Sequence, residues 1–281
     1  MARRPNKQSD QSDSVRRRKM RERKERQEEE QSGPAPLEGE VRLNRFIAQA
    51  GLCSRRTADE WIAAGRVQVN GMPTTELGTK IHVNKDVVTV DGRPIHPQAL
   101  TYVVLNKPRD TITTTDDERD RRTVMDLLDK ETRASGVVPV GRLDRDTTGV
   151  LLLTNDGELA HRLMHPRYEI EKLYQVEVDK PVTKQHLQEL ASGVELEDGI
   201  AKADQVGFIG SSSVVGISLH EGRNRQIRRM FETLGYSVVK LDRVSYAGIT
   251  TEGIRSGRWR ELKPHEVNRL RRSVKLKTLV F

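Results

Sequence analysis

Apolar positions between residues 41 and 100 follow helical spacing first and strand spacing afterwards. An amphipathic helix is predicted by the i, i+3, i+4, i+7 spacing of Leu43, Phe46, Ile47 and Ala50. Ser54, a residue type that caps helix N-termini, precedes a second helical pattern at Ala58, Trp61 and Ile62. Two alternating strand patterns follow, and each ends at a turn dipeptide, namely Val67–Val69 before Asn70-Gly71 and Val88–Val90 before Asp91-Gly92. Two short helices and small strands are expected here.

Longer strand and helix patterns fill residues 101–264. A short strand is predicted over Tyr102–Leu105 and a buried strand over Val150–Leu153, with a turn at Thr147-Thr148-Gly149 between them. Asn155 and Asp156 are expected to cap a helix that runs to Met164. A further helix, Gln226–Leu234, has one apolar face, made of Ile227, Met230, Phe231 and Leu234. Mixed strands and helices predict an α+β fold.

Charge divides the chain into four segments. Residues 1–40 contain 11 basic and 9 acidic side chains and almost no apolar ones, so we expect a disordered charged tail. The excess positive charge lies in residues 41–100 (+3) and 265–281 (+4), whereas residues 101–264 have a net charge of −1. These boundaries give a tail, a small basic module, a large central domain and a basic C-terminal helix.

Composition excludes several classes of protein. The chain has 281 residues, a net charge of +8 and a single cysteine, Cys53, which excludes an intrachain disulfide framework and a multi-cysteine zinc site. It contains neither an apolar run long enough to span a membrane nor an N-terminal signal core. We therefore expect a cytoplasmic protein without a membrane partner. No heptad seam is present, so a monomer is expected.

Five arginines surround the two predicted N-terminal helices, and they are candidates for contacts with nucleic-acid phosphates: Arg42, Arg45, Arg55, Arg56 and Arg66. A solvated helix face is the alternative that these residues alone leave open. The spacing of apolar residues, Ser54-Arg55 and Val67-Gln68-Val69-Asn70-Gly71 also resembles the S4 RNA-binding domain. That resemblance implies RNA binding by residues 41–100.

The segment GRLDRDTTGVLLLTNDG, residues 141–157, places a carboxylate, Asp144, in a glycine-flanked loop beside a buried strand. A rigid element of this kind suits a catalytic group. The alternative from chemistry alone is a structural Asp144, either in an Asx-turn or paired with Arg142 or Arg145.

A second concentrated feature, residues 220–229, brings four guanidiniums into seven residues: Arg223, Arg225, Arg228 and Arg229. Such a cluster needs anions, and either phosphates or carboxylates would serve.

Motifs for cofactors are missing from the sequence. His161 and His165 are four residues apart on a predicted helix, but no glutamate or third ligand accompanies them as in known zinc sites. Neither glycine-rich nucleotide-binding pattern occurs. We expect no metal ion and no cofactor.

Three motifs in order resemble the rRNA pseudouridine synthases of the RsuA/RluB type. They are the 141–157 segment, the strand Glu171-Lys172-Leu173-Tyr174 followed by Val176, and Glu221–Met230. With the S4-like module, the resemblance covers residues 41–275. The Arg-Asn-Arg-Gln-Ile-Arg-Arg version of the third motif is most similar to the RluB branch, which implies large-subunit (23S) ribosomal RNA as substrate.

The resemblance implies the fold, the reaction and the roles of the residues. It implies a mixed, mostly antiparallel sheet with flanking helices, and the isomerisation of a flipped-out uridine to pseudouridine without a cofactor. Asp144 would act at the ribose, either by attacking C1′ or by removing the 2′ proton, and Arg228 would neutralise it. Tyr174 would stack on the base, Ile227 would line the pocket and Arg142 would fill the vacated stack.

The sequence leaves two other functions as alternatives to a pseudouridine synthase. A non-catalytic S4-type RNA-binding ribosome-assembly factor would share the basic flanks, but it would be free to lose Asp144, Tyr174 or Arg228. A metal-dependent nuclease would need grouped carboxylates, and those of this chain lie in separate turns. The C-terminal helix, with Val267, Leu270 and Val274 on one face, is expected either to contact RNA or to pack on the sheet.

Overall fold

A computed structural model describes residue 37 and residues 39–281. The tail predicted for residues 1–40 falls almost wholly outside the described residues. Two of its last positions are nevertheless structured, because Leu37 is buried and Glu40 begins the first strand. No helix within the described residues is both long and apolar enough to cross a bilayer.

The N-terminal part contains two helices, α1 (Leu43–Gln49) and α2 (Arg55–Ala63). Its short strands are β1 (Glu40–Arg42), β2 (Val67–Val69), β3 (Met72–Pro73), β4 (Lys80–His82), β5 (Val88–Val90) and β6 (Arg93–Pro94). The strands form a β1–β4 pair and a four-stranded sheet in the order β3-β2-β5-β6.

The local predictions for this part are confirmed. The side chain of Ser54 accepts a hydrogen bond from the Thr57 amide and so caps α2. The apolar stripe of α1 is buried, and it shares a core with Ile62 of α2 and Val67 of β2. Both turn dipeptides adopt positive φ, which suits two-residue hairpin turns.

A larger sheet follows, with its strands in the order β13-β14-β10-β15-β9-β7-β17 and with β8 and β16 attached at its side. These strands are β7 (Tyr102–Lys107), β8 (Val138–Pro139), β9 (Thr148–Thr154), β10 (Lys172–Val178), β13 (Gln205–Ile209), β14 (Ser211–Leu219), β15 (Val238–Tyr246), β16 (Ile249–Thr250) and β17 (Trp259–Glu261). A separate hairpin is formed by β11 (Val194–Leu196) and β12 (Gly199–Ala201). Only β9 and β15 pair in parallel within the large sheet, as the mostly antiparallel fold requires.

Helices cover the large sheet. They are α3 (Lys130–Ala134), α4 (Gly157–Met164), α5 (Lys184–Ser192), α6 (Gln226–Thr233) and α7 (Pro264–Ser273), with 3-10 turns at Val124–Leu127 and Pro166–Tyr168. Asp156 caps α4 as predicted, since its side chain accepts from the Leu159 amide. The apolar face of α6, including Ile227, Met230 and Phe231, packs in the same core as β10 and β14.

The C-terminal helix α7 packs on the sheet. Val267, Leu270 and Val274 are buried beside the apolar residues of β7 and β9. Arg271 of this helix forms a buried ion pair with Asp156, the cap of α4. The apolar face of α7 is therefore not available to RNA.

The prediction that Gly149 lies in a turn is wrong, because Gly149 is part of β9. The turn occurs earlier, where the Thr147 amide donates to the Asp144 carbonyl. Gly149 pairs with Arg243 of β15 at φ +101°, and a Cβ there would overlap the Arg243 main chain. A glycine is needed because two backbones approach closely at the only parallel pairing of the large sheet.

Gly149→Ala is therefore expected to lower the free energy of unfolding by at least about 2 kcal/mol, through backbone strain and displacement of β15. Urea denaturation followed by circular dichroism measures this. The matched control is Gly157→Ala in α4, where φ is ordinary and a Cβ meets no atom; it should be neutral or slightly stabilising. Equal stability of the two variants would contradict the close-approach argument.

Candidate active site

A cleft of about 560 Å³ opens between the 141–147 loop, the strands β10 and β15, and the start of α6. Its lining includes several residues that the sequence singled out: Arg142, Asp144, Tyr174, Arg223, Arg225 and Ile227. The lining residues that were not predicted as site residues include Lys172, His220, Arg243 and Tyr246. The three sequence motifs thus meet at one cavity although they are up to 80 residues apart.

The 141–147 loop is held from below by Lys107. The Lys107 ammonium is fully buried and donates to the carbonyls of Asp144 (3.0 Å), Arg145 (3.2 Å) and Thr147 (2.8 Å). It also donates to the carbonyl of Pro108 (3.1 Å). One side chain therefore fixes the main chain of the loop from Asp144 to Thr147.

Sequence reasoning missed Lys107 because it ended the strand at Leu105 and assigned the next residues to a turn. The strand β7 in fact continues to Lys107. Burial lowers the pKa of Lys107 to about 8, although the carboxylates of Asp146, Asp144 and Asp110 oppose the shift. A lysine that ends an otherwise apolar buried strand was the available signal.

The Asp144 side chain is half-buried in the wall of the cleft. Neither alternative arginine pairs with it, since Arg145 lies 3.3 Å from Asp110 and Arg142 is exposed. Among the described residues no cation lies within 4.0 Å of its carboxylate. Asp144 thus lines the cavity, and no described residue makes a hydrogen bond or ion pair with its carboxylate.

The expected ion pair between Arg228 and Asp144 is not what the structure contains. Arg228 is 5% exposed and pairs with Asp146 at 2.9 Å, and it also donates to the Val238 carbonyl. The turn after Asp144 directs the side chain of Asp146, two residues later, towards α6, which explains the difference. Arg228 therefore supports the loop from behind the cleft wall.

Tyr174 and Ile227 both border the cavity. Tyr174 extends from β10 and is half-buried, whereas Ile227, in the first turn of α6, is 5% exposed. An aromatic ring and an aliphatic side chain near a free carboxylate make a site with one apolar part and one charged part. This combination suits a planar base attached to a sugar.

Carboxylates take up most of the arginine cluster. Arg229 forms two hydrogen bonds with Asp198, at 2.9 and 3.0 Å, and Arg223 donates to three carbonyls of the β11–β12 hairpin. Arg225, the N-terminal flanking residue of α6 at φ +47°, lies 3.8 Å from Glu232. Arg223 and Arg229 therefore hold the cleft wall together, whereas the Arg225 side chain is 45% exposed and makes no hydrogen bond to a described residue. Contact of Arg223 and Arg225 with RNA stays a prediction.

The five arginines of the N-terminal part differ in how far the protein occupies them. Arg66 makes two hydrogen bonds to Asp91 and lies over the Trp61 ring, and Arg45 lies 3.4 Å from Glu158 of α4. Arg55 makes one long contact with Asn44. Arg42 and Arg56 are exposed, and neither forms an ion pair with a described residue.

Comparison with known protein families gives two matches. Residues 101–233 match the RNA pseudouridylate synthase family, and residues 41–87 match the S4 domain. The first match contains Asp144, Tyr174 and Arg228, and the second contains all five N-terminal arginines.

Individual proteins agree with these matches. The chain is 43% identical over 235 residues to the ribosomal large subunit pseudouridine synthase B of Bacillus subtilis, which covers 82% of this chain and 95% of that protein. It is 40% identical to the protein of the same name from Vibrio cholerae, over 84% of this chain and 76% of that one. A crystal structure of a pseudouridylate synthase superposes with a TM-score of 0.59 at 29% identity, over 82% of this chain and 99% of that structure. The chain therefore belongs to the RNA pseudouridine synthase family, with an N-terminal S4 domain, and is an enzyme that isomerises uridine in RNA.

Proposed function

We propose that this enzyme converts a specific uridine of large-subunit ribosomal RNA to pseudouridine in the cytoplasm, as a monomer. The substrate class is supported by the two relatives named for the large subunit, at 43% and 40% identity. An Arg at position 225, typical of the branch that acts on this subunit, agrees with them. The S4 domain would provide a second contact with the RNA.

Asp144 is the proposed catalytic residue, and its unpaired carboxylate in the cleft is the observation that carries the proposal. In the reaction the N1–C1′ bond of uridine breaks, the uracil rotates, a C5–C1′ bond forms, and the loss of the C5 proton is balanced by protonation of N1. Asp144 would act at the ribose, either by attacking C1′ or by removing the 2′ proton. Both bonds belong to one nucleotide, so the change is redox-neutral.

The neighbours of Asp144 are assigned supporting roles. Tyr174 would stack on the uracil and assist the loss of the C5 proton, and Ile227 would pack against the base. Arg142, exposed at the rim of the cleft, would fill the stack left by the flipped nucleotide. Arg228, through Asp146, would hold the loop that carries Asp144.

Tritium at C5 of uridine tests the substrate class. Release of tritium into water is expected from large-subunit rRNA transcripts or precursor particles, and not from small-subunit RNA. Release from small-subunit RNA alone would reverse the assignment, and tight binding without release from any rRNA would overturn the proposed reaction.

Two exposed arginines provide a test of RNA binding by the S4 domain. Arg42→Ala combined with Arg56→Ala should weaken RNA binding about tenfold and lower the slope of log affinity against log salt by about 1–2, because two phosphate contacts are lost. Binding titrations at several salt concentrations measure both quantities. Arg66→Ala is the control, since Asp91 already occupies Arg66; a larger effect from Arg66→Ala would place the RNA on that side of the domain instead.

A further inference from the structure

Two cations and two tyrosines alternate on the floor of the cleft. In the pairing of β10 with β15, Lys172 lies opposite Tyr246 and Tyr174 lies opposite Arg243. All four side chains line the cavity. The Arg243 guanidinium lies 4.7 Å, and the Lys172 ammonium 5.8 Å, from the centre of the Tyr246 ring.

Arg243 is a buried cation with unused hydrogen-bonding capacity. It is 2% exposed, and its Nε donates to the Val150 carbonyl at 2.7 Å. Its Nη2 is buried, and no residue in the described part of the chain accepts a hydrogen bond from it. Because a buried donor without a partner costs free energy, its presence beside a cavity points to a ligand that supplies an acceptor.

Lys172 has spare capacity as well. Its ammonium donates to the carbonyls of His220 (2.7 Å) and Ile170 (3.3 Å), and an ammonium has three N–H groups. No carboxylate of a described residue lies within 4.0 Å of either Lys172 or Arg243. The floor of the cleft thus holds two positive charges without direct counter-ions.

The charged groups around Lys172 set its protonation. Burial and the neighbouring Arg243 lower the pKa of Lys172 to about 8, while Asp204 and Glu221 oppose the shift. Asp204 is bound by the His220 ring at 2.7 Å, and Glu221 accepts from Gln226. Burial raises the pKa of Tyr246 to about 12, so this phenol stays neutral over the working range.

We infer that Lys172 and Arg243 form a binding site for the uracil ring in its anionic state and are catalytic residues of this enzyme. This inference rests on the proposed function. When the N1–C1′ bond breaks, its electron pair stays on the uracil, and the negative charge spreads over N1 and the two carbonyl oxygens. Fixed cations in a water-poor cleft stabilise such a charge more strongly than solvent does. The charge is neutralised when C5 bonds to C1′; C5 then loses its proton and N1 gains one, which gives neutral pseudouridine.

The depth of the cations favours the base over a phosphate as their ligand. Arg243 and Tyr246 are almost completely buried, and a flat base between Tyr174 and Ile227 reaches this depth more readily than the hydrated backbone does. Both cations are donors only. They can donate hydrogen bonds to the carbonyl oxygens of uracil, whereas the amino group of cytosine is itself a donor and cannot accept from them. The same pair therefore selects uridine over cytidine.

The pH dependence of single-turnover tritium release tests the inference. Wild-type release should fall at least about tenfold between pH 7 and pH 9 as Lys172, whose pKa is about 8, loses its proton. Because the pKa of Lys107 under the Asp144 loop is also about 8, the ratio of the two rates is compared: Lys172→Arg, whose guanidinium stays protonated, should gain about tenfold on wild type between pH 7 and pH 9. Lys172→Met should release tritium about 10²-fold more slowly than wild type, with RNA affinity within about threefold.

Lys240→Met, an exposed lysine on β15 outside the cleft, is the matched control and should behave as wild type. The Lys172→Arg profile keeps the test valid even where Lys172→Met folds poorly. A ratio of Lys172→Arg release to wild-type release that stays constant between pH 7 and pH 9 would overturn this inference alone, and so would release by Lys172→Met at the wild-type rate. Absence of release from the wild-type enzyme would instead overturn the proposed function together with it.

Discussion

Asp144→Asn is expected to lower the rate of tritium release from uridine C5 by at least about 10³-fold, the range over which a positioned acid–base or nucleophilic group acts. RNA affinity should stay within about tenfold of wild type, because many cations spread over two domains carry the binding. The amide keeps the shape of the side chain but neither attacks C1′ nor accepts a proton. Single-turnover assays and binding titrations on the same RNA separate the two effects.

Asp110→Asn is the matched control for this variant. Asp110 is an exposed carboxylate that pairs with Arg145, the residue after Asp144, and it does not line the cleft. Asp110→Asn removes one negative charge next to the loop that carries Asp144, so the activity of this variant should remain within a few-fold of wild type. Comparable losses in the two variants would mean that local charge, and not the Asp144 carboxylate, is required.

Lys107→Met is expected to lower the free energy of unfolding by about 3–5 kcal/mol. Four carbonyl oxygens lose the Lys107 ammonium at once, and of these the Asp144 carbonyl keeps the Thr147 amide as a donor. Urea denaturation at pH 7, where the Lys107 ammonium is protonated, measures the loss. The activity of the folded fraction should fall as well, because the loop that carries Asp144 loses its anchor.

Lys80→Met provides the comparison. Lys80 lies 2.8 Å from Glu40, and more than half of each side chain is exposed, so this ion pair should contribute less than about 1 kcal/mol. A Lys107→Met protein as stable as Lys80→Met would show that the four carbonyls find other partners, and it would remove Lys107 from the support of the site.

Family membership decides between the functions that the sequence left open. A non-catalytic assembly factor shares the basic flanks and the S4 domain, but the matches cover the synthase domain as well. Within that domain the local structure of residues 141–157 was predicted correctly from the sequence, apart from the position of Gly149. A short turn, a buried apolar strand and a capped helix are determined by residues close together in the sequence, so their patterns can be recognised in the sequence alone.

Contacts between distant segments were harder to predict. The arginines of residues 223–229 called for anions, and the sequence offered phosphates or carboxylates with equal plausibility. In the structure the partners of Arg223 and Arg229 are groups of the protein itself in the hairpin β11–β12, where Asp198 binds Arg229 and the carbonyls nearby bind Arg223. These hairpin residues are 23 to 31 positions away in the sequence from the arginines they bind, and no local pattern assigns the hairpin to α6.

The sequence by itself determined the elements, the order of the motifs and the candidate carboxylate, because hydrophobic period, capping and turn residues act over a few positions. Only the tertiary structure decided which charges meet. It pairs Arg228 with Asp146, sets Lys107 under the loop, and brings Arg243 and Tyr246 to one face. Residues three apart in a regular strand face opposite sides, and the register shift in the β10–β15 pairing turns both towards the cleft. A bulge of this kind depends on the partner strand, which is why the cationic floor of the site emerged only from the fold.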